Sequence, residues 1–219
     1  QTSNTWPPED ATPSTYYLSA NHKLTEEKGV VQTGQVTYAV DTTWTSGSAS
    51  RWDILAAAMR KSAFPGLQRG PDSLLVAWRT NPLKRPRTLA GSPQVQLQLS
   101  VDKPDAGLHV ILVDEAPDGH RVPLTRGVLR LGHRWARPGE PLPPLTLKRA
   151  DYRPVPVGEQ VYTQITMMPS AAELKKGHRL VLLLAGHDAY HFQRVPGAAD
   201  TMQVHHSTAY PSQLSLPFL

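Results

Sequence analysis

Apolar and polar residues alternate along this chain in short stretches cut by turn residues. The clearest stretch is 94–101, where Val95, Leu97, Leu99 and Val101 point one way and Gln94, Gln96, Gln98 and Ser100 the other. Successive side chains leave opposite faces of a strand, so this alternation predicts a half-buried strand. Residues 107–114 (GLHVILVD) are apolar on both faces and predict a central strand of a sandwich. The Asp118-Gly119 pair that follows predicts a tight hairpin turn, with 124–130 returning as the partner strand. Further strands are predicted over 15–19, 35–40, 73–80, 160–168, 179–184, 201–207 and 213–218. Long connections between several of them favour a Greek-key or jelly-roll topology over a meander.

Helical signal is local. Residues 53–63 (DILAAAMRKSA) hold good helix formers and end at Phe64-Pro65-Gly66. Residues 170–176 predict about two turns, with Ser170 as N-cap, Glu173 at the capping-box offset and Gly177 as the stop. The expectation is an all-β fold, a jelly-roll β-sandwich with one or two short helices. It is read as one domain over 1–219, with 1–90 a looser lead-in and 91–219 carrying the main strands.

Composition narrows the chemistry. The 219 residues include no cysteine, which removes disulfides, thiolate nucleophiles and Cys-ligated metal centres. The longest clean apolar run, 180–185, is far short of the roughly 20 residues that cross a bilayer, and no secretory signal pattern opens the chain. A start at Gln1 suggests a fragment or a processed product. The net charge of +5 raises the question of nucleic acid. The basic residues are scattered, however, and the 7% aromatic content supplies no interleaved stacking platform.

Hydrolase motifs are missing. The serine contexts 46–50 (SGSAS) and 91–93 (GSP) lack the second glycine of a nucleophile turn. They read as a flexible loop and as a turn into the strand at Gln94. Glycine-rich phosphate loops are absent too. Nine histidines remain. His187 and His191 have i, i+4 spacing, but 188–190 lacks the metalloprotease glutamate, and a helix there is doubtful on its flanks. His205 and His206 are adjacent, so on a strand they face opposite ways. The histidines are read as surface or turn residues. Five tryptophans (Trp6, Trp44, Trp52, Trp78, Trp135) could form a sugar platform, but core or interface packing is the ordinary use of such side chains. No catalytic, cofactor-binding or metal-ligating residue is assigned, and no cofactor is expected.

Ordered motifs across 6–218 carry a resemblance. They begin with Trp6-Pro7-Pro8, Tyr16-Tyr17-Leu18 and 21–24 (NHKL), followed by 75–83 (LVAWRTNPL) and 89–93 (LAGSP). Next come 113–119 (VDEAPDG), 124–134 and 174–181 (LKKGHRLV), and the series closes with 206–218. Together they resemble the C-terminal domain shared by Xaa-Pro dipeptidyl-peptidases, cocaine esterase (CocE/NonD) and related α-amino-acid ester hydrolases or acylases. The sequence departs from that pattern at 61–69 (KSAFPGLQR), where the family commonly has an acidic stretch.

The resemblance implies a galactose-binding-like jelly roll that packs on an α/β-hydrolase domain and shapes its active-site rim or assembly. The Ser-His-Asp triad would lie in that other domain, acting on Xaa-Pro peptides or acyl esters and amides. The implied partners are this catalytic domain and, for an assembly, further copies of the chain. Neither nucleic acid nor membrane is implied. The alternative is an independent carbohydrate- or protein-binding module. His178 is read as a structural anchor whose ring bonds a loop carbonyl.

Overall fold

The computed structural model describes residues 5–47, 75–134 and 146–219. The helix expected over 53–63, together with Trp52 and Trp135, lies outside them. Thirteen strands are described: β1 (Thr12–Leu18), β2 (Leu24–Thr25), β3 (Gly34–Ala39), β4 (Val76–Arg79), β5 (Arg87–Gly91), β6 (Gln94–Val101), β7 (Gly107–Glu115), β8 (Arg121–Arg130), β9 (Val161–Thr166), β10 (Ser170–Leu174), β11 (Arg179–Ala185), β12 (Thr201–His206) and β13 (Gln213–Phe218). Among the described residues, helical structure is confined to three single 3-10 turns, at Lys28–Val30, Leu131–His133 and Arg149–Asp151.

The strands form two antiparallel sheets of a β-sandwich. The larger has nine strands along the order β10-β5-β13-β6-β12-β3, with β1 and β2 continuing from β13 and β9 pairing with β6. The smaller runs β4-β11-β7-β8. Sequence neighbours are dispersed between and within the sheets, as a jelly-roll connection requires.

Alternation decides which side chains fill the space between the sheets. On β6, Val95, Leu97 and Leu99 are fully buried, as are Leu214, Leu216 and Phe218 on β13. The facing sheet contributes Leu108, Val110 and Leu112 from β7, Leu180, Leu182 and Leu184 from β11, and Trp78 from β4 to the same cluster. The Trp78 indole N–H donates to the Ser19 carbonyl at 3.2 Å, so a large aromatic is buried without stranding its polar atom.

The β7–β8 hairpin turns where the Asp-Gly pair predicts it. The Ala116 N–H donates to the His120 carbonyl, and Gly119 takes φ +81°, open to glycine at little cost. Further along, the β7–β8 register shifts between Leu112 and Val113, which pair with Thr125 and Pro123. This bulge accommodates a proline that cannot donate to a ladder.

Residues 170–176 do not form the expected helix. Ser170–Leu174 is a strand paired along its whole length with β5, from Ser170↔Gly91 to Leu174↔Arg87. Ala171, Ala172, Glu173 and the two lysines that follow favour a helix locally, but the free β5 edge and the inward pointing of fully buried Leu174 override that preference. Gly177, with φ +86°, makes the turn into β11 instead of ending a helix.

The loop before β7 is tied to the end of β8 by Asp105, whose side chain is buried. Its carboxylate accepts the N–H groups of Ala106 and Gly132 at 2.9 Å and the Arg130 Nε at 2.6 Å. Replacing Asp105 with alanine strands two backbone donors and unpairs Arg130. The expected loss is about 3 to 5 kcal/mol in a urea-unfolding measurement.

Candidate functional site

The smaller sheet is apolar on its outer side as well. Ala77, Ile111, Val113, Val181, Leu183 and Ala185 form a second buried cluster beneath Trp44, apart from the main core. Trp44 belongs to the loop after β3, and a hydrogen-bonded cluster holds that loop against the segment after β11.

Asp188 is the centre of this cluster. Its carboxylate accepts the Ser46 hydroxyl at 2.6 Å, the Thr45 hydroxyl at 2.9 Å and the Ser46 N–H at 3.3 Å. The His191 Nδ1 lies 3.1 Å from the same carboxylate and 3.4 Å from the Ser46 Oγ. The Ala189 N–H donates to the Trp44 carbonyl at 2.9 Å, which adds a main-chain tie. Burial pushes the Asp188 carboxyl up, but hydrogen bonds from Ser46, His191 and Thr45 outweigh it and hold the group below the usual carboxylate range.

Serine, histidine and aspartate therefore meet, but not as a nucleophilic relay. In a relay one imidazole nitrogen faces the serine and the other faces the acid. Here a single nitrogen, Nδ1, faces both, and the serine hydroxyl donates its hydrogen bond directly to the carboxylate. The serine is also 2% exposed. The cluster is built to pin a loop.

The histidines depart from the expectation of surface or turn positions: His109, His133, His187 and His206 are all buried. His206 faces inward from β12 and meets the Trp78 ring edge-on, with centroids 5.8 Å apart. His205 faces the other way and meets the Ser100 Oγ at 2.9 Å, as strand alternation requires. His178 is anchored by the Asp114 carboxylate, at 2.9 and 3.0 Å, and not by a loop carbonyl. His187 and His191 are not brought together as a ligand pair, because His191 turns to Asp188. Among the described residues no group of three or more metal-ligating side chains converges. Of the described tryptophans, Trp44 and Trp78 are buried in the two clusters and Trp6 is exposed, so they present no stacking platform.

The fold and these contacts define a β-sandwich module of the jelly-roll class, with internal polar clusters that fasten its loops. The chain belongs to the family described as the X-Pro dipeptidyl-peptidase C-terminal non-catalytic domain, whose model matches residues 1–215. A Mycobacterium bovis protein named as a candidate serine esterase is 31% identical over the whole chain, which spans 35% of that relative's length. A Mycobacterium tuberculosis protein of the same description matches equally, again over 35% of its length.

Solved structures share the fold. An aminopeptidase from a marine sediment Thaumarchaeota archaeon superposes on all of this chain and 38% of its own, with TM-score 0.76 and 19% identity. An α-amino acid ester hydrolase aligns over 95% of this chain and 36% of its own, with TM-score 0.73 and 22% identity. A CocE/NonD family hydrolase from Staphylococcus aureus matches all of this chain and 39% of its own, with TM-score 0.70 and 16% identity.

Two buried imidazoles give the domain a pH signature. Burial pushes both His206 and His109 down to about 4; the neighbouring His205 adds to the effect at His206, while the Asp188 charge opposes it at His109. In the unfolded chain these rings take up protons near pH 6.5, and in the folded chain only near 4. The unfolded state therefore binds more protons between those values. The stability is fully present above about pH 6.5 and is lost as pH falls toward 4, by about 3 kcal/mol per ring. Urea midpoints measured across that range should show this decline, and His206→Phe should make it shallower by about one proton's worth.

Proposed function

We propose that this chain is the accessory domain of an α/β-type serine hydrolase, docked on a catalytic domain of the same polypeptide. The observation that carries the reading is the family match along nearly the whole chain, combined with relatives about three times as long. In this reading the partner domain supplies the nucleophile, and this module shapes the rim of its active site or supports assembly. The parent would cleave Xaa-Pro peptides or acyl esters and amides.

The larger sheet has a face suited to such docking. Strands β1, β3, β6, β9, β12 and β13 contain no Asp, Glu, Lys or Arg. Their outward positions form a lattice of neutral amides. The Gln213 amide donates to Gln96 at 2.6 Å and the Gln164 amide to Gln94 at 3.1 Å, while the Tyr162 hydroxyl donates to Gln164 at 3.2 Å. A neutral face whose amides are already paired can be covered by another domain without desolvating a charge or stranding a donor.

The isolated chain should hydrolyse neither an Xaa-Pro nitroanilide nor an aryl ester. An activity abolished by a serine-reactive phosphonate would contradict the reading. In the parent protein, a charge at an exposed position of this face, Thr37→Lys or Gln35→Lys, should loosen the domain contact and lower the melting temperature. The same change should leave the isolated chain within about 0.5 kcal/mol of its original stability.

A further inference from the structure

A cleft beside the Asp188 cluster holds polar groups that no other described residue takes up. It is a cavity of about 280 Å³ along β8, the outermost strand of the smaller sheet, closed by the chain before β10 and by the loop at Asp188. Its walls are mainly apolar, with Ile111, Leu124, Met168 and Pro169 among them. Within ordinary hydrogen-bond geometry, the Asp188 carboxylate is taken up by Thr45, Ser46 and His191. The Thr125 hydroxyl is likewise used, donating to the Met168 carbonyl at 2.6 Å.

Two lining groups are different. His109 is 7% exposed and packs edge-on against Phe192 at 4.8 Å, yet its ring nitrogens make no hydrogen bond among the described residues. Its burial keeps it neutral at pH 7, so one nitrogen can donate and the other accept. Arg126 is half-buried and has no carboxylate partner among the described residues. Among the described residues, no side chain takes up the Arg126 guanidinium or the His109 ring nitrogens, so both are available to a ligand in the cleft. Arginine matches a carboxylate in shape and charge. The volume lies just under the range of about 300 to 1,000 Å³ typical of drug-sized sites.

We infer that this cleft binds a small carboxylate with a short hydrocarbon body. The carboxylate lies on Arg126, the body lies against Leu124 and Met168, and His109 makes the second hydrogen bond. The inference rests on this chain's own residues and stands apart from the docking reading, since it needs no catalytic domain.

The test is a titration of the 219-residue chain with hexanoate, hexan-1-ol and hexylammonium. It is followed by calorimetry and by the His109 ring resonances in NMR. Hexanoate should bind saturably and move the His109 signals, with hexan-1-ol and hexylammonium each weaker by roughly ten-fold or more. Arg126→Gln should weaken hexanoate by a similar factor with an unchanged melting temperature. Arg85→Gln, at an exposed position in a separate cleft, should leave binding as it is. Three results would overturn the inference: no saturable binding of hexanoate, equal affinity in Arg126→Gln, or hexylammonium binding as tightly as hexanoate.

Discussion

The pairing of β7 with β11 is the constraint on which the rest of this domain depends. The two strands run antiparallel from Arg179↔Glu115 to Ala185↔His109 and are apolar on both faces. An antiparallel sheet commonly turns one face to water. This one cannot, because Leu108, Val110 and Leu112 point into the sandwich while Ile111 and Val113 point away from it, and all are buried. The inner side therefore requires the nine-stranded sheet, and the outer side requires a cover.

Part of that cover is the loop carrying Trp44, and Asp188 is what holds it. A buried carboxylate is tolerable when its lone pairs are satisfied, and four donors from Thr45, Ser46 and His191 do this. The same logic operates at Asp105, and in neutral form on the glutamine lattice of the larger sheet. Polar groups in this module are mostly consumed by holding strands and loops in place. That pattern suits a domain that supports another, and among the described residues it leaves His109 and Arg126 facing the cleft along β8.

Much of the architecture is legible in the sequence because its strongest signals are local. β6 and β13 have the predicted bounds, since alternation and flanking turns mark both ends. β7 reads as central because both of its faces are apolar. β5 and β10 escape sequence reasoning together. Residues 91–93 read as a turn and 170–176 as a helix, whereas β5 lies between β13 and β10, and β10 becomes a strand by pairing with β5. The Asp188 cluster is hidden for the same reason, since Ser46 and Asp188 are 142 residues apart. The signal that was available is the aspartate between His187 and His191, which sequence reasoning weighed as a missing glutamate. The inward histidines follow from strand parity, but parity shows a core side only once the sheet order is known.

Native-state hydrogen exchange tests the central role of β7 and β11 most directly. Amides in the middle of both strands, such as Leu112 and Leu182, should exchange only through global unfolding, with an exchange free energy equal to that from denaturant unfolding. The Ser46 amide should open earlier, as part of the cover. If Leu112 and Leu182 exchange through much cheaper local openings while β6 and β13 stay protected, the smaller sheet is not the element that organises this fold.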